Sequence, residues 1–114
     1  MSYVREYRKI KMIMNEMLDY CYSNGMVEAK IHFVQLDYHS EITISGKVYE
    51  EPSDIKQVLE KLAAQQQPEV EDYYEDLLGL RDDEFHIDIL SALIDEIEYS
   101  YDHQIMTFKI IREH

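Results

Sequence analysis

The first apolar pattern in the chain is that of a helix with one buried stripe. Between residues 10 and 21 the apolar side chains recur at helical spacing, at Ile10, Ile13, Met14, Met17, Leu18 and Cys21. Asn24 and Gly25 follow, and glycine tolerates the left-handed backbone conformation in which many helices end. The pattern therefore predicts a helix over about residues 4–23.

Two stretches after this helix have the character of strands. Residues 29–37 are rich in β-forming side chains, and residues 41–48 alternate strictly between apolar and polar positions. Ile42 and Ile44 lie on one side of the second stretch. A short turn over residues 38–40 connects the two, so we expect an antiparallel hairpin with one buried face.

Three helices are predicted in the middle of the chain. The first begins after Pro52, with apolar residues at helical spacing from Ile55 onward. Pro68 begins a short acidic second helix, since proline suits the first helical position. Asp82 or Asp83 caps the third, whose apolar stripe consists of Ile89, Leu90, Leu93 and Ile94.

A second hairpin follows these helices. Residues 97–101 run into a tight turn at Asp102 and His103, and residues 105–111 form the last strand. Three apolar side chains of that strand share one face: Met106, Phe108 and Ile110. The element order predicts a single α+β domain over residues 1–114. We expect an antiparallel or mixed four-stranded sheet with helices packed on one face.

Composition excludes several classes of protein. A length of 114 residues suits one domain, and a hydrophobic content of 46% excludes outright disorder. The net charge of −13 counts against nucleic acid and against an anionic membrane as partners. With Cys21 as the only cysteine, no intrachain disulfide can form. No signal peptide or membrane span is recognisable, so a cytoplasmic protein is expected.

The negative charge is concentrated in one stretch. Residues 50–102 hold seventeen acids and three bases, a net charge of −14, so the rest of the chain is nearly neutral. Within this stretch, residues 69–76 mix acidic and aromatic side chains. The favoured interpretation is a solvated helix face with the aromatic side chains packed inward. The alternative is a docking surface for a basic protein, formed by Glu71, Asp72, Tyr73, Glu75 and Asp76.

Metal and nucleophile sites find little support in the sequence. The five histidines never fall into a metal-binding spacing such as H-E-x-x-H, so no zinc site is expected. Cys21 lies on the apolar stripe of the first helix, and no basic neighbour is visible near it. We therefore interpret it as a buried structural thiol.

The last third of the chain resembles a known domain. In the GHKL-type ATP-binding domain of histidine kinases and anti-sigma-factor serine kinases, a helix with apolar pairs runs into an Asp-Glu-Val-x-Tyr motif. A turn and a last strand that ends near a lysine follow. Residues 88–99 and 105–109 are similar to this arrangement, with Asp95 and Glu96 opening the motif. The resemblance extends over about residues 10–111 and implies a histidine-kinase-like ATPase fold.

Two nucleotide-binding motifs of that family are altered here. The family's first helix carries a glutamate and, four residues later, an asparagine that holds magnesium. The matching positions are Met17 and Cys21, which can do neither task. The family's Asp-x-Gly turn reads adenine through its carboxylate. The matching stretch around Ser45 and Gly46 retains the glycine and lacks the carboxylate.

The third motif, a glycine-rich turn for the phosphates, is also missing. Its place is taken by residues 82–86, which include Glu84 and His86 and carry three carboxylates that would repel a triphosphate. The resemblance therefore implies a degenerate member of the family that binds no cofactor and no metal. Met17, Cys21, Ser45, Gly46, Glu84 and His86 are its vestigial pocket positions.

These observations predict a small cytoplasmic regulatory domain that binds another protein, for example a transcriptional regulator, and neither binds nor hydrolyses ATP. One alternative is a divergent anti-sigma-factor-type serine kinase, in which carboxylates of residues 69–84 hold magnesium. Another is an acidic, phosphate-mimicking inhibitor of a nucleic-acid-binding protein, which requires the acids of residues 50–102 to share one face. A homodimer is compatible with the sequence but is not required by it.

Overall fold

The computed structural model describes residues 3–63 and 87–113. In these ranges the elements are α1 (Tyr3–Ser23), β1 (Ala29–Gln35), β2 (His39–Lys47), α2 (Ile55–Leu62), α3 (Ile87–Leu93), β3 (Glu96–Asp102) and β4 (Ile105–Glu113). The helix predicted after Pro68 and the cap predicted at Asp82 or Asp83 lie outside the described residues, as does the side chain of Ile89.

The four described strands form one antiparallel sheet in the order β1-β2-β4-β3. β2 and β4 occupy the centre, where Ile42 lies opposite Ile110 and Ile44 opposite Phe108. β1 and β3 are therefore the two edges. The predicted α+β class and four-stranded sheet are confirmed. Of the two predicted arrangements, mixed and antiparallel, the sheet has the antiparallel one.

The core lies on one face of this sheet. Five central-strand side chains on that face are fully buried: Ile42, Ile44, Met106, Phe108 and Ile110. The predicted stripe of α1 packs against them through Ile10, Ile13, Met17 and Cys21, and α3 contributes Leu90 and Leu93. Burying these apolar surfaces together is the main force that holds helices and sheet in contact. The expectation of helices on one face is confirmed.

Both hairpin turns lie slightly away from their predicted positions. The first turn covers residues 36–38 rather than 38–40, because the Leu36 amide donates to the carbonyl of His39 at 2.8 Å. The second has His103 and Gln104 at its centre, with φ angles of 51° and 64°. Two left-handed residues match the twist of a two-residue hairpin, which explains why the turn begins one residue later than expected.

A buried ion pair joins the two ends of the described chain. The Arg112 side chain, 4% exposed, donates to both carboxylate oxygens of Glu6, at 2.8 and 3.0 Å. The same guanidinium also donates to the carbonyl of Leu93 at 2.8 Å, at the end of α3. This residue therefore ties β4 to the beginning of α1 and to the end of α3.

Candidate functional site

The two vestigial pocket positions on α1 belong to the core. Met17 and Cys21 are 0% and 1% exposed and pack among the apolar side chains under the sheet. Burial raises the pKa of the Cys21 thiol to about 11, so the thiol stays protonated at neutral pH. The interpretation of Cys21 as a buried structural thiol is confirmed. Neither side chain offers the carboxylate or amide oxygen that magnesium binding requires.

The two vestigial positions on β2 point to opposite faces of the sheet. Gly46 continues the helix-facing series of Ile42 and Ile44, whereas Ser45 lies on the other face. A Cβ atom at Gly46 would lie 2.7 Å from Cγ of Met26 and would collide with the carbonyl oxygen of Glu28. This close approach of the chain before β1 explains the glycine. Ser45 and Gly46 both line an open cavity of about 390 Å³ at this end of the sheet, whereas Met17 and Cys21 are buried in the core.

The remaining predicted site residues lie outside the described residues. This applies to the vestigial positions Glu84 and His86 and to the five candidates for partner binding, Glu71, Asp72, Tyr73, Glu75 and Asp76. Among the residues that the structure describes, no group of three or more His, Cys, Asp or Glu side chains could hold a metal ion.

The edge strand β1 is exposed on both of its faces over its first half. Its first four residues are exposed and its last three are half-buried. Ile31 is 44% exposed although it lies on the helix-facing side of the sheet. Further exposed apolar side chains precede and follow the strand, at Val27, Leu36 and Tyr38. Apolar side chains on an edge strand that no other described strand covers are an unusual feature, because folded proteins normally cover or charge such edges, and Lys30 is the one charged residue of β1.

The backbone of β1 also presents hydrogen-bonding groups outward. The bond from the Leu36 amide to the His39 carbonyl shows which residues of β1 form hydrogen bonds with β2 and which do not. Since inward and outward groups alternate in an antiparallel pair, residues 30, 32 and 34 bond to β2. The amides and carbonyls of Ile31, Phe33 and Gln35 then point away from the sheet. Among the described strands, none pairs with this side of β1.

The opposite edge, β3, has a different character. Glu96, Glu98 and Asp102 are exposed along it. On the helix-facing side, the Tyr99 hydroxyl donates to the Glu51 carboxylate at 2.6 Å and the Tyr101 hydroxyl donates to the Val48 carbonyl at 2.6 Å. This edge is therefore charged on one side and tethered to the segment after β2 on the other.

A small ion cluster lies on the sheet face opposite the helices. Lys109 Nζ lies 3.3 Å from Glu41 and 4.0 Å from Glu98, and His39 Nε2 lies 3.2 Å from Glu41. The hydrogen bond with His39, followed by that with Lys109, lowers the pKa of Glu41 below its ordinary value. Lysine and carboxylates satisfy one another here, which is typical of a solvated sheet face and not of an acid–base catalyst.

A shallow cleft of about 470 Å³ lies between the end of α1 and the segment before α2. Residues 23–25 and 49–53 line it. Next to it, the Tyr20 hydroxyl donates to Asp54 at 2.8 Å, and burial followed by this bond raises the pKa of Tyr20. Most of the lining side chains are polar or acidic, with Pro52 as an apolar exception, and the bond of Tyr20 stabilises the fold beside the cleft. The described geometry assigns no chemistry to this cleft.

Sequence reasoning missed the β1 edge because the position of a strand within a sheet is not encoded in its own alternation. One signal was present. Residues 29–36 contain no acid, although the chain has twenty-four acids in 114 residues. A strand-like stretch that avoids the prevailing charge of its chain is a candidate for contact with another protein.

Comparisons with known proteins supply no family. No protein-family model matches the chain, and no curated protein matches it. Within the described residues, no helix has the length and the apolar character needed to span a bilayer.

Proposed function

We propose that this domain is a non-catalytic protein-interaction module that binds a partner strand along the edge of β1. The observation that carries the proposal is the exposed edge itself, with outward backbone groups at Ile31, Phe33 and Gln35 and exposed apolar side chains beside them. Adding a strand to such an edge gives affinity through backbone hydrogen bonds and specificity through alternate side chains.

The absence of ATP chemistry is the second part of the proposal. It is supported by Met17 and Cys21, which stand where the resembled kinases hold a base and a magnesium ligand and which are buried apolar contacts here. The histidine-kinase-like ATPase fold, a degenerate member of that family and a regulatory role toward a protein such as a transcriptional regulator are proposed on the sequence resemblance of residues 88–109.

One observation favours a second candidate, the acidic phosphate mimic. Three of the described acids of residues 50–102, Glu96, Glu98 and Asp102, line the β3 edge, and Glu51 reaches the same flank through Tyr99. A basic partner bound at this flank would dissociate as salt is raised, whereas a strand bound at β1 would be much less sensitive to salt. The carboxylates needed for the kinase alternative lie within residues 69–84, outside the described residues.

The proposal is tested by selecting displayed peptides against the full chain and measuring their affinity for two variants. Ile31→Lys places a positive charge on the β1 edge, and Glu98→Lys places the same side chain on the β3 edge. We expect selected peptides to lose at least tenfold in affinity for Ile31→Lys and to bind Glu98→Lys unchanged. Equal binding to both variants would contradict the proposed edge, and micromolar binding of magnesium ATP by calorimetry would contradict the non-catalytic assignment.

A further inference from the structure

We infer that the strand bound at β1 belongs to a second copy of this chain, so that two sheets join edge to edge into one antiparallel sheet of eight strands. This inference rests on the proposed use of the β1 edge and names its partner. Antiparallel pairing of two identical strands has twofold symmetry, which is the common symmetry of protein dimers.

The register of this pairing follows from the outward-facing residues. Full overlap of the seven-residue strand places the twofold axis at His32. Ile31 then lies opposite Phe33 of the partner subunit, and Phe33 lies opposite Ile31 of the partner subunit. Both residues direct their backbone groups outward, so these pairs exchange hydrogen bonds. Their side chains lie on the helix-facing side, where Tyr7, 47% exposed, stands 6.5 Å from Phe33 between ring centroids.

Charge favours a second copy at this edge. Residues 1–49 carry six bases and six acids, so the half of the chain that contains β1 has no net charge. The acidic edge β3 lies three strand spacings away, and in the dimer the two β3 edges would be seven spacings, roughly 34 Å, apart. That separation far exceeds the screening length of about 8 Å in physiological salt. Two copies of an acidic protein can therefore meet at β1 while the acids of their β3 edges stay far apart.

Pairing through the other edge is opposed by the same charges. Two β3 strands side by side would bring Glu96, Glu98 and Asp102 of one copy against the same carboxylates of the other. Like charges directly opposite one another destabilise a strand pair. Self-association through β1 also closes after two copies, so it yields a dimer and not a fibre.

Cysteine cross-linking tests this register directly. In the dimer His32 faces His32 of the partner subunit in a non-hydrogen-bonded pair, whose Cα separation of about 4.5 Å suits a disulfide. Lys30 lies on the same face of β1, but the two Lys30 residues would be offset along the strand by about 13 Å. We expect His32→Cys to form a disulfide-linked dimer under mild oxidation and Lys30→Cys to remain monomeric under denaturing conditions. Cys21 is 1% exposed and serves as an internal control.

The outcomes separate this inference from the proposed function. A wild-type chain that stays monomeric at about 200 µM in sedimentation, or equal cross-linking of both cysteine variants, would overturn the dimer. If peptide binding still depended on Ile31 in that case, the β1 edge would keep its role with a different partner. If peptide binding also ignored Ile31, both proposals would fail.

Discussion

The two edges of the sheet differ in the property that decides whether an edge can pair. β1 and β3 are each seven residues long, and each lies beside a central strand that is buried on its helix-facing side. β3 carries exposed acids at alternate positions, whereas β1 carries none and exposes Ile31. Charges on an edge strand prevent unwanted pairing. The difference indicates that the acidity of this chain protects one edge and leaves the other available.

The edges also differ in how they are attached to the rest of the fold. β3 is held from the helix side by the hydroxyls of Tyr99 and Tyr101, which bond to residues 51 and 48. β1 is held by its hairpin with β2 and by the close passage of residues 26–28 over Gly46. A strand that is held mainly by one neighbouring strand can pair with a second strand on its other side without breaking existing contacts.

The largest effect is expected away from both edges. Arg112→Met leaves the Glu6 carboxylate buried without its guanidinium and should lower the free energy of unfolding by about 3–5 kcal/mol in urea titrations. The double variant Arg112→Met with Glu6→Leu should recover most of that loss. A loss below about 1 kcal/mol for Arg112→Met would mean that this ion pair adds little to the apolar contacts that hold helices and sheet together.

Alkaline pH should lower the stability of the fold through groups on α1 and on β3. Burial raises the pKa of the Cys21 thiol from its ordinary value of 9.0 to about 11, and burial also raises the pKa of Tyr20 and Tyr99. The unfolded chain loses these protons first, so stability is full below pH 9 and falls as pH rises toward 11. For Cys21 alone the loss approaches roughly 2–3 kcal/mol.

This alkaline loss is measured by urea unfolding at pH 8 and at pH 10.5. Tyr99→Phe removes one titrating group and should make the pH dependence smaller. A stability that is unchanged between the two pH values would contradict the burial of these groups.

A charge introduced on the β1 edge should abolish pairing there. Ile31→Lys places two ammonium groups near the twofold axis and should weaken the dimer at least tenfold, or by about 1.4 kcal/mol. Circular dichroism should show an unchanged fold, because Ile31 is already 44% exposed. Glu98→Lys is the matched control on β3, and its dimer should sediment as the wild type does.

Removal of charge from the β3 edge should erase the difference between the edges. Glu96→Thr with Glu98→Thr removes two of the three exposed acids of β3 and leaves Asp102 at its end, so dimers can join through β3 into open chains. Light scattering should show particles that grow with concentration, and the effect should be small at low concentration. Dimers that keep their size at all concentrations would mean that the tyrosine tethers, and not the acids, protect β3.

Much of the fold could be predicted from local patterns. The helix predicted over residues 4–23 is α1, at Tyr3–Ser23, and the strict alternation of residues 41–48 correctly predicted a strand with Ile42 and Ile44 buried. Such patterns report which face of an element is covered. The two turns lie one or two residues from their predicted positions. The position of a turn is decided by a backbone hydrogen bond or by left-handed residues, and apolar periodicity carries no information about either.

Features that depend on distant parts of the chain could not be predicted in this way. Arg112 and Glu6 are 106 residues apart in the sequence, and the residues around each of them show no pattern from which a buried ion pair could be predicted. The strand order that leaves β1 at an edge is likewise a property of the whole sheet. The candidate site followed from that order, so only the lack of acids in residues 29–36 could have pointed to it.

Amide hydrogen exchange compares the two edges in a single experiment. The amides of Ile31 and Phe33 should exchange fast at a protein concentration of about 1 µM and at least tenfold more slowly at about 200 µM. At the higher concentration these amides donate hydrogen bonds to the β1 strand of a second copy. The amides along β3 should exchange at rates that do not depend on concentration. Rates at Ile31 and Phe33 that stay fast at both concentrations, or slowing at β3 instead, would contradict the assignment of β1 as the pairing edge.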